Sequence, residues 1–367
     1  MSVYWNHRVK TLSPYVPGEQ PRDQVFIKLN TNENPYPPSP KVIEAIQKAT
    51  GDTLRLYPDP ACTELRREIA RRYGVGPEQV FAGNGSDEVL AFAFAAFFES
   101  SREALPILFP DITYSFYPVY ARLWDIPFAP VPLALDFSIR IDAYKKPAGG
   151  VVIPNPNAPT GRALPRTDLL SLVRWHGQVP GTVVLVDEAY AAFGEDLEMA
   201  ALVSEYSNLL TVHTLSKAAS LAGLRVGFAI GSEELIDGLC RVRDSFNSYT
   251  VDRLAQAGAE AALRDAPYYD GVNKKVIATR NRVSAALRDR GYEVIPSQGN
   301  FIFIRSPTRK GAQFFTDLRE RGILVRHFDK PRIADYLRVS IGTDAQMDRF
   351  LAACETEESV GLGLTNS

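Results

Sequence analysis

Short apolar runs recur along the middle of the chain, at 79–82, 107–109, 151–153, 183–186, 209–213 and 226–230. Each is bounded by Gly, Pro, Asn or Asp, and runs of this length read as buried strands. Most are separated by helix-length segments, which predicts βαβ units and a mostly parallel sheet covered by helices on both faces. Ahead of these runs the pattern is different. The first forty residues (LSPYVPGEQPRDQ, then NTNENPYPPSP) are rich in proline, which fixes φ and removes backbone donors. An extended arm is expected there, not a helix or a central strand. Helices are expected from Ser39 and Pro40, as N-cap and first helical residue, over 62–73 closed by Gly74, and over 88–98.

Beyond Gly231 the pattern changes again. Helices are expected over 235–246, 254–263, 268–290 and 312–321, with strands at 292–295, 300–304, 323–328 and 336–341. This is an α+β arrangement suited to a smaller second domain. The tail SVGLGLTNS offers nothing to pack and is expected to fray.

Composition narrows the partners. A length of 367 residues exceeds one ordinary hydrophobic core and predicts two or three domains. A net charge of −2 supplies no overall basic field for nucleic acid or an anionic membrane, so neither is expected as a partner. Cys62, Cys240 and Cys354 form no C-x-x-C pair, and the four histidines are scattered, so neither a disulfide framework nor a metal site is expected. The start MSVYWNHRVK lacks the apolar stretch of a signal peptide, and no run approaches the ~20 residues that span a bilayer. A cytoplasmic protein is expected.

In an open parallel sheet ligands bind outside the carboxyl ends of the strands. The positions after each apolar run are Gly83–Asp87 (GNGSD), Asn155-Pro156-Asn157, Asp187–Tyr190 (DEAY) and Thr214–Lys217 (TLSK). All four clusters are polar and all should lie along one edge, which loop chemistry alone does not explain. Small residues at 83–87 ahead of an apolar helix let backbone N–H groups approach a phosphate; taken alone, the segment reads more readily as a helix cap after a tight turn. Asp187 could keep a pyridinium nitrogen protonated, or it could cap the next helix. A lysine in a cleft beside other cations has its pKa lowered enough to form a Schiff base. Lys217 has a hydroxyl one residue before it, Arg225 eight after, and small residues between.

Together, N-P-N-A-P-T-G at 155–161, D-E-A-Y at 187–190 and S-K-A-A-S-L-A-G-L-R at 216–225 resemble the fold-type-I aminotransferases of the aspartate-aminotransferase superfamily, in this order and at these spacings. The resemblance runs from about residue 10 to residue 352. It implies an α/β fold with pyridoxal 5'-phosphate as cofactor: a large domain with a mostly parallel sheet between helices, a smaller α+β C-terminal domain and an extended N-terminal arm. The implied boundaries are an arm at 1–38 packing on the small domain or the partner, a large domain at 39–250, a small domain at 251–356 and a flexible tail at 357–367. Lys217 is implied as the Schiff-base lysine that moves the proton, with Asp187 on the pyridinium nitrogen and Asn157 and Tyr190 on the phenolic oxygen. Gly85, Ser86, Asp87 with its helix N-terminus, Ser216 and Arg225 are implied around the phosphate, and Tyr114 stacked on the ring. Tyr57, in LYPDP, resembles the tyrosine that reaches the phosphate in the partner subunit, which implies a homodimer with shared sites. Ala158 departs from the third asparagine of the family's N-P-N-N-P-T-G, without removing a functional group named above.

Within that superfamily three features resemble the histidinol-phosphate aminotransferases: L-S-P-Y-V-P-G at 12–18, L-N-T-N-E-N-P at 29–35, and L-V-R-H-F at 324–328 with L-R-V-S-I-G-T at 337–343. The resemblance implies transfer of an amino group between histidinol phosphate and 2-oxoglutarate, in histidine biosynthesis. Tyr15, Arg326 and Arg338, with Asn157, are the implied substrate contacts, since arginine's planar fork matches both phosphate and carboxylate. An aromatic or broad-range amino-acid aminotransferase, a threonine-phosphate decarboxylase-like enzyme and a non-catalytic module on the same fold stay open.

Overall fold

The computed structural model describes residues 2–15, 18–20, 26–101 and 103–355. Among them, seven strands form one sheet in the spatial order Val80–Asn84, Val226–Gly231, Leu209–Thr214, Val184–Asp187, Gly150–Pro154, Ile107–Pro110, Phe128–Val131. Six of these run in one direction, and Val226–Gly231 alone is reversed, antiparallel to both its neighbours. Every residue from Gly150 to Pro154 and from Val184 to Asp187 is buried, because helices cover both faces. Val151, Ile153, Val184 and Val186 pack into one core layer, and Val152, Leu185, Leu210 and Val212 into the other. The register pairs Pro154 with Asp187 and Asp187 with Val212, so the strands end level and their polar successors share one edge.

The strand Phe128–Val131 is an addition to the expected set. It is an edge strand between Pro127 and Pro132 with Pro130 inside it, a pattern that reads as a loop until the neighbour Ile107–Pro110 pairs with it. The helix expected at 88–98 runs Gly85–Phe97, so Gly85, Ser86 and Asp87 form its first turn. Ser39 caps Pro40–Ala49 through a hydrogen bond from the Lys41 backbone N–H, and Thr63–Tyr73 ends on a left-handed Gly74, both as expected.

The C-terminal part builds a second sheet, in the order Arg326–His327, Tyr336–Ser340, Phe301–Arg305, Glu293–Ile295, all antiparallel. Helices Ala266–Asp289, Gly311–Glu320 and Asp344–Cys354 close its core around Val276, Ile302, Phe314, Val339 and Phe350. The single strand expected at 323–328 is two. Ile323–Leu324 pairs in parallel with Ile27–Lys28 of the arm, and Arg326–His327 turns to the second sheet. The arm therefore differs from expectation twice: it donates a strand at its inner end, and it opens with a short helix, His7–Thr11, capped by Asn6. The tail at 357–367 lies outside the described residues, as do arm residues 1, 16, 17 and 21–25.

Candidate functional site

Asp187 ends the apolar run Val184–Val186, so a carboxylate emerges where the sheet meets its ligand edge. Its Oδ2 accepts from the Tyr117 hydroxyl at 2.7 Å and its Oδ1 from the Ala189 backbone N–H at 3.1 Å. Burial pushes its pKa up to about 6 against the pull of these two hydrogen bonds. One strand over, the segment after Leu209–Thr214 carries Lys217. Its Nζ donates to the Thr31 carbonyl of the arm at 3.0 Å, and Asn34 donates to the Lys217 carbonyl at 3.1 Å. Burial, and then the nearby Arg338 guanidinium, bring the lysine down to about 8.

The first turn of Gly85–Phe97 is held against the sheet by two close approaches. Gly85 sits at φ 79°, and a Cβ there would collide with the Arg225 guanidinium. A Cβ on Gly227 would strike the Ser86 backbone nitrogen. The helix has no side-chain cap, so the N-terminal N–H groups at Ser86 and Asp87 are those an external anion would meet. Arg225, itself left-handed at φ 54°, donates to Asp87 at 2.9 Å and to Ser216 Oγ at 3.5 Å. Tyr114 donates to the other Asp87 oxygen at 2.6 Å, and burial and that carboxylate raise its pKa well above the usual tyrosine value.

Asn157 is wholly buried. Its amide donates to the Ile112 carbonyl (2.9 Å) and Thr160 Oγ1 (3.1 Å), and its Oδ1 accepts from Thr113 (3.0 Å). The Tyr190 hydroxyl accepts from Asn32 at 3.0 Å, which leaves its own proton to donate. Its ring lies edge-on to Phe301, 5.0 Å between centroids.

On the second sheet Arg338 lies directly opposite Arg326. Arg338 Nη2 donates to the Asn30 carbonyl at 2.9 Å and its guanidinium lies 5.6 Å from the Phe301 ring centroid, while its buried Nε has no protein partner. Burial, and then Arg326, lower its pKa. Both arginines flank Phe328, each 5.7 Å from the ring centroid. Tyr15 packs its ring 4.3 Å from Phe116, which in turn lies 5.4 Å from Tyr114, so the arm reaches the same place. Of the residues expected in the site only Tyr57 stays apart within its own chain. It is 77% exposed and stacks on Tyr249 at 4.5 Å.

Residues 24–353 match the family model for class I and II aminotransferases. The chain belongs to that family. This aminotransferase is 57% identical over 356 residues to the histidinol-phosphate aminotransferase 1 of Bordetella parapertussis, covering 96% of the chain and 98% of that relative. It is 54% identical over 351 residues to the histidinol-phosphate aminotransferase of Clostridium acetobutylicum, with the same coverage. In structure it superposes on the Sinorhizobium meliloti histidinol-phosphate aminotransferase in complex with pyridoxal-5'-phosphate, with a TM-score of 0.84 over 96% of the chain and 97% of that one at 24% identity, a likeness of fold.

The family is pyridoxal-phosphate-dependent, and the residues here fit that group. A glycine-lined cradle at an uncapped helix end suits its phosphate, a buried carboxylate its ring nitrogen, and a lysine of depressed pKa its aldehyde. Asp87 is the one group placed awkwardly. Its carboxylate takes up Arg225 and Tyr114, both of which a phosphate would also attract. Sequence reasoning missed Tyr117, Thr113 and the arm residues Thr31, Asn32 and Asn34. Tyr117 stands three residues after Tyr114 at helical spacing, and that repeat was the available signal.

Proposed function

We propose that this aminotransferase moves an amino group between glutamate and imidazole-acetol phosphate. Glutamate gives up its amine and leaves as 2-oxoglutarate, and the keto phosphate receives the amine to become histidinol phosphate; the cycle also runs in reverse. The observation that carries this reading is the Arg326–Arg338 pair beside Lys217. Two guanidinium forks, one stripped of water with an unpaired Nε, suit an anion that is a phosphate in one half of the cycle and a carboxylate in the other.

Bound pyridoxal phosphate supplies the electron sink that makes the substrate's α-proton removable. The chain's own residues do the rest. With a pKa of about 8, roughly a tenth of Lys217 is a neutral amine at pH 7, against about one in 2,500 for an ordinary lysine. That neutral Nζ is the chain's nucleophile, and with the cofactor bound the same amine would take up the substrate's α-proton and give it back in a 1,3-shift. Asp187, oriented by Tyr117, holds the positive charge of the ring nitrogen, and that charge draws the carboxyl back to its ionised form. Ser86 and Asp87 through their backbone, with Ser216 and Arg225, hold the cofactor phosphate; Arg225 exchanges Asp87 for it. Tyr114 walls the ring, and Tyr190 donates to the phenolic oxygen. Asn157 reaches that oxygen only by releasing one of its present acceptors. Tyr15 and Arg326 close on the substrate's anion with Arg338.

The same reading includes a homodimer. Leu54, Leu56, Tyr57, Phe246 and Tyr249 are all exposed, and Tyr57 reaches across to the phosphate in the partner subunit's site. It also includes a large domain at 39–250, a small domain at 251–356 and a cytoplasmic setting, which suits three free cysteines. A steady-state comparison of histidinol phosphate, phenylalanine, tyrosine and threonine phosphate tests the substrate. The highest kcat/KM is expected for histidinol phosphate; an aromatic amino acid in first place would sink the assignment while leaving aminotransfer intact.

A further inference from the structure

Tyr190 has a proton to give only while its oxygen accepts from Asn32, so whatever orients the Asn32 amide also orients that proton. Asn32 is buried and stands at φ 55°, a left-handed conformation that asparagine tolerates better than most residues. Its backbone is pinned on both sides. The N–H donates to Ser340 Oγ at 2.8 Å, and the carbonyl accepts from Asn300 Nδ2 at 2.9 Å. Ser340 is also buried, and its own backbone N–H donates to the Leu29 carbonyl at 2.9 Å. The Asn32 side chain therefore lies between two hydroxyls, those of Ser340 and Tyr190, each at 3.0 Å.

These contacts admit one arrangement of protons. A backbone N–H can only donate, so the Ser340 oxygen accepts from Asn32 and must place its own proton elsewhere. Among the described residues its acceptor is Asn32 Oδ1. The amide then turns its NH₂ to Tyr190, whose oxygen accepts and whose proton is left to point into the site. Turning the amide over would leave the Ser340 proton buried and unpaired, a greater loss than one neutral hydrogen bond regains. It would also make Tyr190 give its proton to Asn32. Burial raises the Tyr190 pKa, with Asp187 and Tyr15 adding to it and Arg338 and Asn32 opposing, so the hydroxyl keeps its proton at neutral pH.

We propose that Ser340 and Asn32 are positioning residues that together aim the Tyr190 proton at the phenolic oxygen of bound pyridoxal phosphate. Ser340 lies two residues after Arg338 on the strand Tyr336–Ser340. One strand thus carries both an anion contact and the start of this relay. Asn32 in turn lies between Thr31, whose carbonyl accepts from Lys217 Nζ, and Asn34, which donates to the Lys217 carbonyl. The same arm segment therefore fixes the lysine and the tyrosine proton. The inference rests on Tyr190 donating to that oxygen, and it is independent of which amine is the substrate.

The test is the pH midpoint of the holoenzyme's visible absorbance, which reports the proton between the Lys217 nitrogen and the phenolic oxygen. A donor at that oxygen stabilises its bare, charged form and lowers the midpoint. Tyr190→Phe should therefore raise the midpoint by roughly 0.7 pH unit, the worth of one hydrogen bond, and Ser340→Ala by about half as much. In the Tyr190→Phe background, Ser340→Ala should move it no further. Asn32→Asp tests the relay with Ser340 intact: a carboxylate only accepts, so it takes the Tyr190 proton and should raise the midpoint at least as far as Tyr190→Phe. A shift in Tyr190→Phe with none in Ser340→Ala or in Asn32→Asp would overturn the relay and leave the Tyr190 contact standing. No shift in Tyr190→Phe would overturn both. A Ser340→Ala shift that persists without the Tyr190 hydroxyl would mean that Ser340 acts by packing, and would also overturn the proposal.

Discussion

The two halves of the candidate site are built to opposite rules. On the large sheet nearly every group is already paired: Asp187 with Tyr117 and Ala189, Asp87 with Arg225 and Tyr114, Asn157 with three partners. On the small sheet two guanidinium groups face each other across a strand pair, one of them with a buried nitrogen left bare. The first half is a preorganised seat for a resident group. The second sets two like charges opposite each other, and an incoming anion eases their repulsion, so it favours ligand binding over resting stability.

Five experiments bear on that contrast, and the largest effect belongs to neither half alone. Lys217→Ala should lower turnover on the order of 10⁴-fold or more, as loss of both nucleophile and proton carrier requires; residual activity within tenfold of the parent would remove the lysine from the mechanism. Arg338→Met comes next, at about 3 kcal/mol or roughly a hundredfold in kcat/KM. Its melting temperature should be no lower than the parent's, because an underpaired buried charge is removed; a marked drop would mean that the pair supports the fold. Asp187→Asn keeps the shape but loses the charge. Its signature is weaker cofactor retention on dialysis, by about tenfold, with KM for glutamate little changed. Tyr117→Phe removes one hydrogen bond, about 1 kcal/mol, and should lower both cofactor affinity and melting temperature slightly. If it proved costlier to turnover than Arg338→Met, the contrast would be inverted.

The smallest effect is one of pH. With Lys217 near 8, the rate at which apo-protein captures pyridoxal phosphate should rise about tenfold from pH 7 to 9 and then level off. The sign follows from the neutral amine being the reactive form. In Arg338→Met the midpoint should move to higher pH, since the Arg338 charge helps depress it. Stopped-flow absorbance measures both curves, and an unmoved midpoint would separate the two halves electrostatically.

Much of this was legible in the chain because the chemistry sits at strand ends, where a buried run stops and a polar residue must follow. Asp187 after Val184–Val186 and Lys217 after Leu209–Thr214 are found that way. What stayed hidden is whatever depends on a distant partner. Tyr117 finds Asp187 seventy residues on, the strand Phe128–Val131 exists only because Ile107–Pro110 pairs with it, and 323–328 breaks in two because its halves are claimed by different sheets. Glu188 is a further case. In sequence it is merely the residue after an interesting aspartate; in the fold it is buried beside His213 and accepts from the Met199 backbone N–H, eleven residues on.

The arm's placement also sets a clock. Thr31 closes on Lys217, and Asn32 donates to Ser340, 308 residues further along. At about 5–20 residues per second a ribosome needs roughly 15–60 s to make that span. That stretch must therefore wait, unpaired, for a partner made 308 residues later. Until it docks, the lysine loop lacks its neighbour, so a nascent chain completes its sheet long before it completes its site.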